Sequence, residues 1–176
     1  MCSNPFVLAA TFLAATLLTV GTLGCRNSSP AQDTTDSRPG RDNAADKTAV
    51  SQVGEREVRA FNAKNIDSNV AVLAEDVVMM PAGEPMFTGR DAARAWLKRV
   101  HDQYTINLRY TASQVDVAGD WAIERFTLET TATPKKGGAA MKDRGKGIHI
   151  YRRQPDGSWL IAQDIWNSDL SSPVNP

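Results

Sequence analysis

The pattern of apolar and polar positions after residue 47 begins with helices. From about Thr48, apolar residues recur at the spacing of one helix face, and this helix is expected to end near Asn65. Asp67 can cap a second, short helix through Leu73, because its carboxylate accepts hydrogen bonds from the free amides of the first turn. Residues 90–103 place alanine, tryptophan, leucine and valine on one face, which predicts a third helix.

Strands are predicted on both sides of the third helix. Before it, DVVMM, closed by Pro81, and the later MFTG predict a strand with a bend. After it, apolar residues alternate with a period of two and predict four strands, at residues 105–120, 121–133, 146–153 and 158–168. The order of helix, helix, strand, helix and antiparallel meander predicts an α+β fold with the helices on one face of a sheet.

The N-terminal segment, residues 1–24, contains no charged side chain and carries an apolar run from Phe6. This pattern is typical of a secretory signal peptide. It ends at Gly24-Cys25, which resembles a bacterial lipobox, and the resemblance implies that Cys25 is lipidated and becomes the mature N-terminus. The alternative is an uncleaved membrane anchor, because the apolar run from Phe6 to Gly24 has 19 residues and a helix that spans a membrane needs about 20. Both alternatives place the rest of the chain in the cell envelope. Arg26 follows the cysteine where an aspartate would be the inner-membrane retention signal, so the same resemblance favours the outer membrane.

Composition and charge restrict the partners of the remaining chain. Residues 25–47 have no aromatic side chain and mixed charges, so they are expected to form a flexible tether to one domain, residues 48–176. The 20 Lys and Arg residues equal the 20 Asp and Glu residues, which argues against a nucleic-acid partner. His101 and His149 have no acidic or histidine residue at ligand spacing, and the domain has no cysteine, so neither a metal nor a cofactor is expected.

Two segments of the domain resemble the SnoaL-like and ketosteroid-isomerase-like (DUF4440-type) branch of the NTF2-like superfamily. They are AEDVVMMPAGEPMFTGRDAARAWL and YRRQPDGSWLIAQDIWNSD, and the resemblance covers about residues 48–169. It implies a cone, in which a curved antiparallel sheet wraps around about three N-terminal helices. Such a cone opens at one end into a pocket that suits small apolar ligands with one or two polar groups.

The same resemblance argues against steroid isomerase activity. The isomerases place an aspartate base directly before the proline that follows the first strand, and here Met80 precedes Pro81. They also use a tyrosine of the first helix as a donor to the oxyanion, and the nearest aromatic residue here is Phe61. A thioether and a phenyl ring cannot perform these two steps.

Two carboxylates stand among apolar neighbours in the predicted strands. Glu124 shares a strand face with Ala122, Phe126 and Leu128, and Asp164 shares one with Leu160, Ala162 and Trp166. If both faces line the cone, Glu124 and Asp164 form a candidate catalytic acid and base. The alternative is a structural ion pair or hydrogen bond with Arg152 or Arg153 on the adjoining strand.

We therefore expect an exported, lipid-anchored domain that binds a small, mostly apolar ligand. The alternatives are an isomerase, dehydratase or cyclase that uses Glu124 and Asp164, and a non-catalytic dimeric interaction module. The residues expected to line the ligand pocket are Phe61, Met80, Trp96, Glu124, Phe126, Asp164 and Trp166.

Two surface features complete the expectations. A homodimer through the outer sheet face is expected because Trp159, Ile161, Gln163 and Ile165 leave the last strand without a polar face. Residues 134–147, which are rich in lysine and glycine, read either as a solvated hairpin loop or as a contact for anionic lipid headgroups.

Overall fold

A computed structural model describes residues 43–170 of the chain, so the predicted signal peptide, Cys25 and most of the predicted tether lie outside the described residues. The helices within residues 43–170 are α1 (Asn43–Asn62), α2 (Ile66–Val70) and α3 (Arg90–Gln103). Helix α1 starts at Asn43, ahead of the predicted start at Thr48. Within residues 43–170, no helix is both long and apolar enough to cross a membrane.

The cap of α2 differs from the predicted one. Asn65, not Asp67, accepts the hydrogen bond from the amide of Ser68, at 3.0 Å. Asp67 lies inside the first turn, and its carboxylate contacts Arg94 of α3 at 2.5 Å. The helix ends at Val70, and Leu73 begins the first strand instead of ending the helix.

Six strands form one curved sheet that does not close into a barrel. Their order is β2-β1-β6-β5-β4-β3, and only β1 and β6 are parallel. The predicted α+β cone is therefore confirmed. The strands are β1 (Leu73–Met80), β2 (Phe87–Thr88), β3 (Tyr104–Ala118), β4 (Trp121–Pro134), β5 (Met141–Arg153) and β6 (Trp159–Ser168).

The connection from β2 to α3 depends on Gly89 and Arg90. Gly89 has a φ of 94°, a conformation that only glycine adopts without strain. The guanidinium of Arg90 donates to the carbonyl of Leu73, with Nε at 2.8 Å, and so fixes the start of α3 against β1. The Gly89-Arg90 pair thus fixes where α3 begins relative to β1.

The predicted loop at residues 134–147 is mostly strand. Strand β4 continues to Pro134 and β5 begins at Met141, so only residues 135–140 connect them. Lys142, Arg144 and Lys146 alternate along β5 on its exposed side. Their spacing of two is a strand pattern, which the neighbouring glycines obscured in the sequence.

A β-bulge changes the facing of β6. The register shifts between Ile150 and Tyr151, so Tyr151 lies opposite Ile161 while Ile150 lies opposite Gln163. The bulge turns Ile161 and Asp164 to the same buried side, although residues an odd number of positions apart face opposite sides of a regular strand. The prediction that Ile161 lies on the outer face with Ile165 is therefore wrong. Ile161 is fully buried, whereas Ile165 is 43% exposed.

The helices cover the inner face of the sheet. Helix α1 contacts β3, β4 and β6, and α3 contacts β1, β2 and β3. Their shared core contains Val50, Val53, Leu73, Val77 and Ile161, each at most 1% exposed. Each such side chain contributes about 1.5–3 kcal/mol by leaving water. Beyond this core, α1, α3 and the strands diverge and leave a cavity.

Candidate functional site

The cavity between the helices and the sheet is mostly apolar and has a polar end. Its volume is about 210 Å³. Aromatic rings form much of its wall, and Tyr110 stacks on Phe126 with ring centroids 4.4 Å apart. The carboxyl groups of Glu57 and Asp164 reach it from α1 and β6. The other aromatic rings of the lining are Phe61, Trp96 and Trp166.

His149 is the centre of the buried polar cluster at this end. The strand register places it directly opposite Glu124 of β4 and Asp164 of β6, on the inner face of the sheet. Its Nδ1 lies 3.3 Å from Oε2 of Glu124, and its Nε2 lies 3.2 Å from Oδ1 of Asp164. The imidazole, which is fully buried, therefore lies between two carboxyl groups.

Glu57 of α1 brings a third carboxyl group to the same imidazole. Its Oε2 lies 3.7 Å from Nε2 of His149 and accepts a hydrogen bond of 2.7 Å from the hydroxyl of Tyr110. Glu57 and Asp164 therefore flank the same ring nitrogen from opposite layers of the fold. Both groups are also part of the cavity wall.

Glu124 is held on the far side of His149, away from the cavity. The hydroxyl of Ser113 donates to Oε1 of Glu124 at 2.5 Å, and the hydroxyl of Tyr151 donates to Oε2. A Cβ atom on Gly54 of α1 would lie 2.9 Å from Oε2 of Glu124, so glycine at this position makes room for the carboxylate. Glu124 therefore orients His149 and does not line the cavity.

Burial and charge shift the pKa values in opposite directions within this cluster. Burial, followed by the charges of Asp164 and Glu124, raises the pKa of Glu57 to about 7 against the lowering effect of His149. Burial lowers the pKa of His149, but the neighbouring Asp164 and Glu57 outweigh burial and leave it well above its usual value. Burial opposes ionisation of Glu124, yet its hydrogen bonds hold its pKa below the usual value.

The predicted arginine partners of these carboxylates are wrong. Arg152 contacts Asp76 of β1, and Arg153 contacts Asp46 of α1. Both arginines lie beyond the bulge, at the end of β5 away from His149, where Arg152 is opposite Trp121. The positive group that Glu124 and Asp164 share is the imidazole of His149.

The structure brings most of the predicted pocket residues together, with two exceptions. Phe61, Trp96, Phe126, Asp164 and Trp166 line the cavity. Met80 pairs with Ile165 and shares its outward side, whereas Met79 pairs with Asp164 and lines the cavity instead. Glu124 stands behind His149, as described above.

Sequence reasoning missed Glu57, Tyr110 and His149. His149 has no acidic residue at ligand spacing in the sequence, but the fold brings three carboxyl groups to it from adjoining strands and from α1. The alternation pointed the other way, because Ile148 and Ile150 predict His149 on the polar face, whereas Ile148 is 38% exposed and His149 is fully buried. Among residues 43–170, one oxygen or nitrogen from each of Glu57, His149 and Asp164 lies within 4.8 Å of the others, close enough to hold a metal ion.

Several solved structures have the same fold. A ketosteroid isomerase-like protein from Erwinia carotovora atroseptica SCRI1043 is 22% identical, with a TM-score of 0.65 over 72% of this chain and 98% of that chain. A conserved protein from Planctomyces limnophilus DSM 3776 is 25% identical, with a TM-score of 0.66 over 71% and 97%. A protein from Streptomyces avermitilis, provisionally named a dehydratase of the NTF2-like family, is 18% identical, with a TM-score of 0.65 over 74% and 100%.

The family model agrees with these likenesses. No curated protein sequence matches the chain significantly. The model of the SnoaL-like domain, however, matches residues 55–161, from α1 to the buried part of β6, which is more than half of the chain. The matched range includes Glu57, Tyr110, Glu124 and His149. The chain belongs to the SnoaL-like domain family.

Proposed function

We propose that the cavity binds a small, mostly apolar molecule and that Glu57 transfers protons to and from it, with Asp164 beside it. One observation carries this proposal: two buried carboxyl groups reach the polar end of an otherwise apolar cavity and flank the same nitrogen of His149. Most of a small ligand can then bury its surface against aromatic rings while its reactive carbon lies at the carboxyl groups.

The chemistry that suits Glu57 is proton abstraction next to a carbonyl group. Its carboxylate takes a proton from the carbon, and the C–H electron pair forms a carbon–carbon double bond while the carbonyl oxygen takes the charge. Return of the proton to another carbon gives an isomer, whereas transfer of the proton from Glu57 to a β-hydroxyl group as that group leaves gives water and a dehydrated product. A carboxyl group with a pKa of about 7 is suited to both directions of transfer near neutral pH. The names of the isomerase-like and dehydratase relatives agree with this class of reaction.

Deuterium exchange tests this proposal without a known substrate. A panel of one-ring and two-ring ketones is incubated with the protein in deuterated water, and exchange next to the carbonyl is followed by NMR. Glu57→Gln is expected to slow catalysed exchange by about 10² to 10⁴, because general base catalysis contributes about that much. Glu129→Gln, on β4 outside the cavity, serves as the matched control. Equal exchange by wild type and Glu57→Gln would contradict the proposal.

The alternative of a dimeric interaction module is supported by the outer face of the sheet. Ile148 and Ile165 lie opposite each other on β5 and β6 and are 38% and 43% exposed, with Ile123 of β4 nearby at 45%. We propose that this patch pairs two copies of the chain. Light scattering at micromolar concentration is expected to give the mass of a dimer for wild type and of a monomer for Ile165→Glu. Wild type that is monomeric would contradict it.

The localisation of the protein is a proposal that rests on the N-terminal sequence. We propose that the chain is exported and anchored to a membrane of the cell envelope by a lipid on Cys25, because Gly24-Cys25 closes an uncharged apolar run. Fatty-acid labelling is expected in wild type and absent in Cys25→Ala. Equal labelling of both chains would rule out this anchor. The absence of steroid isomerase activity likewise stays a prediction.

A further inference from the structure

The described lining of the cavity carries acidic groups and no basic ones. Glu57, Asp143 and Asp164 contribute carboxyl groups, and none of the described residues that line the cavity is a lysine, an arginine or a histidine. Asp143 accepts a hydrogen bond of 2.8 Å from Ser168 and is partly exposed. Any formal charge on the described lining is therefore negative.

The buried cluster behind the cavity is also short of positive charge. Three carboxyl groups, those of Glu57, Glu124 and Asp164, face the single imidazole of His149. Asp164 is only 4% exposed, and its Oδ1 has no hydrogen-bond partner although Nε2 of His149 is 3.2 Å away. Asp164 shares the imidazole of His149 with Glu124, so a cation in the cavity would further offset the cost of burying its carboxylate.

The remaining wall is suited to an organic cation. Aromatic faces attract positive charge, and Tyr110, Phe126 and Trp166 line the cavity together with Asp164. A metal ion could bind at the three ligand atoms of the cluster, but it would leave the aromatic wall unexplained. An ammonium group attached to an apolar body accounts for both the carboxyl groups and the rings.

We propose that the ligand of this cavity carries a protonated amine, held by Asp164 and the aromatic wall. The inference rests on the proposed ligand-binding function and names the class of ligand: a small, mostly apolar primary or secondary amine. Glu57 then remains the group that exchanges protons, while Asp164 binds the charge. A neutral or anionic molecule of the same shape is expected to bind more weakly.

Three molecules of one shape test the proposal by calorimetry on the full chain, purified in mild detergent. Phenethylamine is expected to bind about tenfold or more tightly than phenethyl alcohol, because it adds an ion pair and cation–π contacts. Phenylacetate is expected to show no binding. The proposal is overturned if the alcohol binds as tightly as the amine, or if phenylacetate binds more tightly than either.

A variant separates the charge from the shape of the cavity. Asp164→Asn is expected to weaken the binding of phenethylamine by about tenfold or more. The affinity for phenethyl alcohol is expected to change by no more than about twofold, so binding of the alcohol reports an intact cavity. Glu129→Gln is expected to change neither affinity. An amine affinity that Asp164→Asn leaves unchanged would overturn the proposal, as would equal losses for amine and alcohol.

A metal arm completes the experiment. The same titrations are run with EDTA and then with Zn²⁺ alone. Stoichiometric Zn²⁺ binding that Asp164→Asn abolishes, without any preference for the amine, would show that a metal supplies the missing charge and would overturn the amine. If the amine preference holds but no ketone exchanges deuterium, the proton-transfer proposal fails and this one stands.

Discussion

Replacing His149 with leucine is expected to lower the free energy of unfolding by about 3–5 kcal/mol at neutral pH, because it leaves buried carboxylates without their cation. The imidazole is the group that Glu57, Glu124 and Asp164 share. Leucine is close to histidine in size, so little of the loss comes from a cavity. Equilibrium unfolding in urea, followed by tryptophan fluorescence, measures the change.

His101 provides the matched control for this variant. It is also buried, with its ring 4.7 Å from that of Phe61, but its Nδ1 has no hydrogen-bond partner among the described residues. Burial, together with Lys64 and Lys135, lowers its pKa and favours the neutral ring. His101→Leu is therefore expected to cost about 1.5 kcal/mol or less. Equal losses at the two histidines would show that His149 acts only by packing.

A second substitution tests the reason for the loss at His149. In wild type, Glu124→Gln is expected to destabilise the fold, because the amide has one acceptor oxygen and cannot accept both from Ser113 on one side and from Tyr151 and His149 on the other. In the His149→Leu variant the same change is expected to restore part of the stability, since it removes one uncompensated buried charge. Additive losses would contradict this account.

The sequence predicted the fold better than the facing of its strands. Period-two alternation identified the four strands of the meander, and on β4 it placed Glu124 and Phe126 correctly on the buried face. On β6 the same rule failed for Ile161, because a bulge inserts one residue and reverses the alternation. A bulge depends on how two strands pair, and a single strand's sequence does not show it.

The candidate site was predicted only in part, because the sequence of one segment does not show which other segments pack against it. Asp164 was identified because it interrupts an apolar pattern, and the aromatic residues of the lining other than Tyr110 were identified because they extend such patterns within one segment. Glu57 was not, since on α1 it reads as one of several charges that alternate with apolar residues, and only packing against β3 and β6 shows that it is buried. The grouping of Glu57 with His149 comes from contacts far apart in sequence, which spacing cannot reveal.

Glu57 is expected to make the stability of the fold fall as the pH rises from about 4.5 to above 7. Its pKa is raised from 4.5 to about 7, so the folded state keeps a proton that the unfolded state has already lost, and unfolding releases it. At about 1.4 kcal/mol per pH unit, the free energy of unfolding of wild type should fall by about 3 kcal/mol across this range relative to that of Glu57→Gln. The charged groups that face Glu57, namely His149, Asp164 and Glu124, are the same in both proteins, and so is its donor Tyr110.

Urea unfolding near pH 5 and pH 8 measures the difference, with Glu55→Gln, an exposed residue of the same helix, as the control. A Glu57→Gln variant whose stability falls with pH as steeply as that of wild type would show that another group takes up this proton.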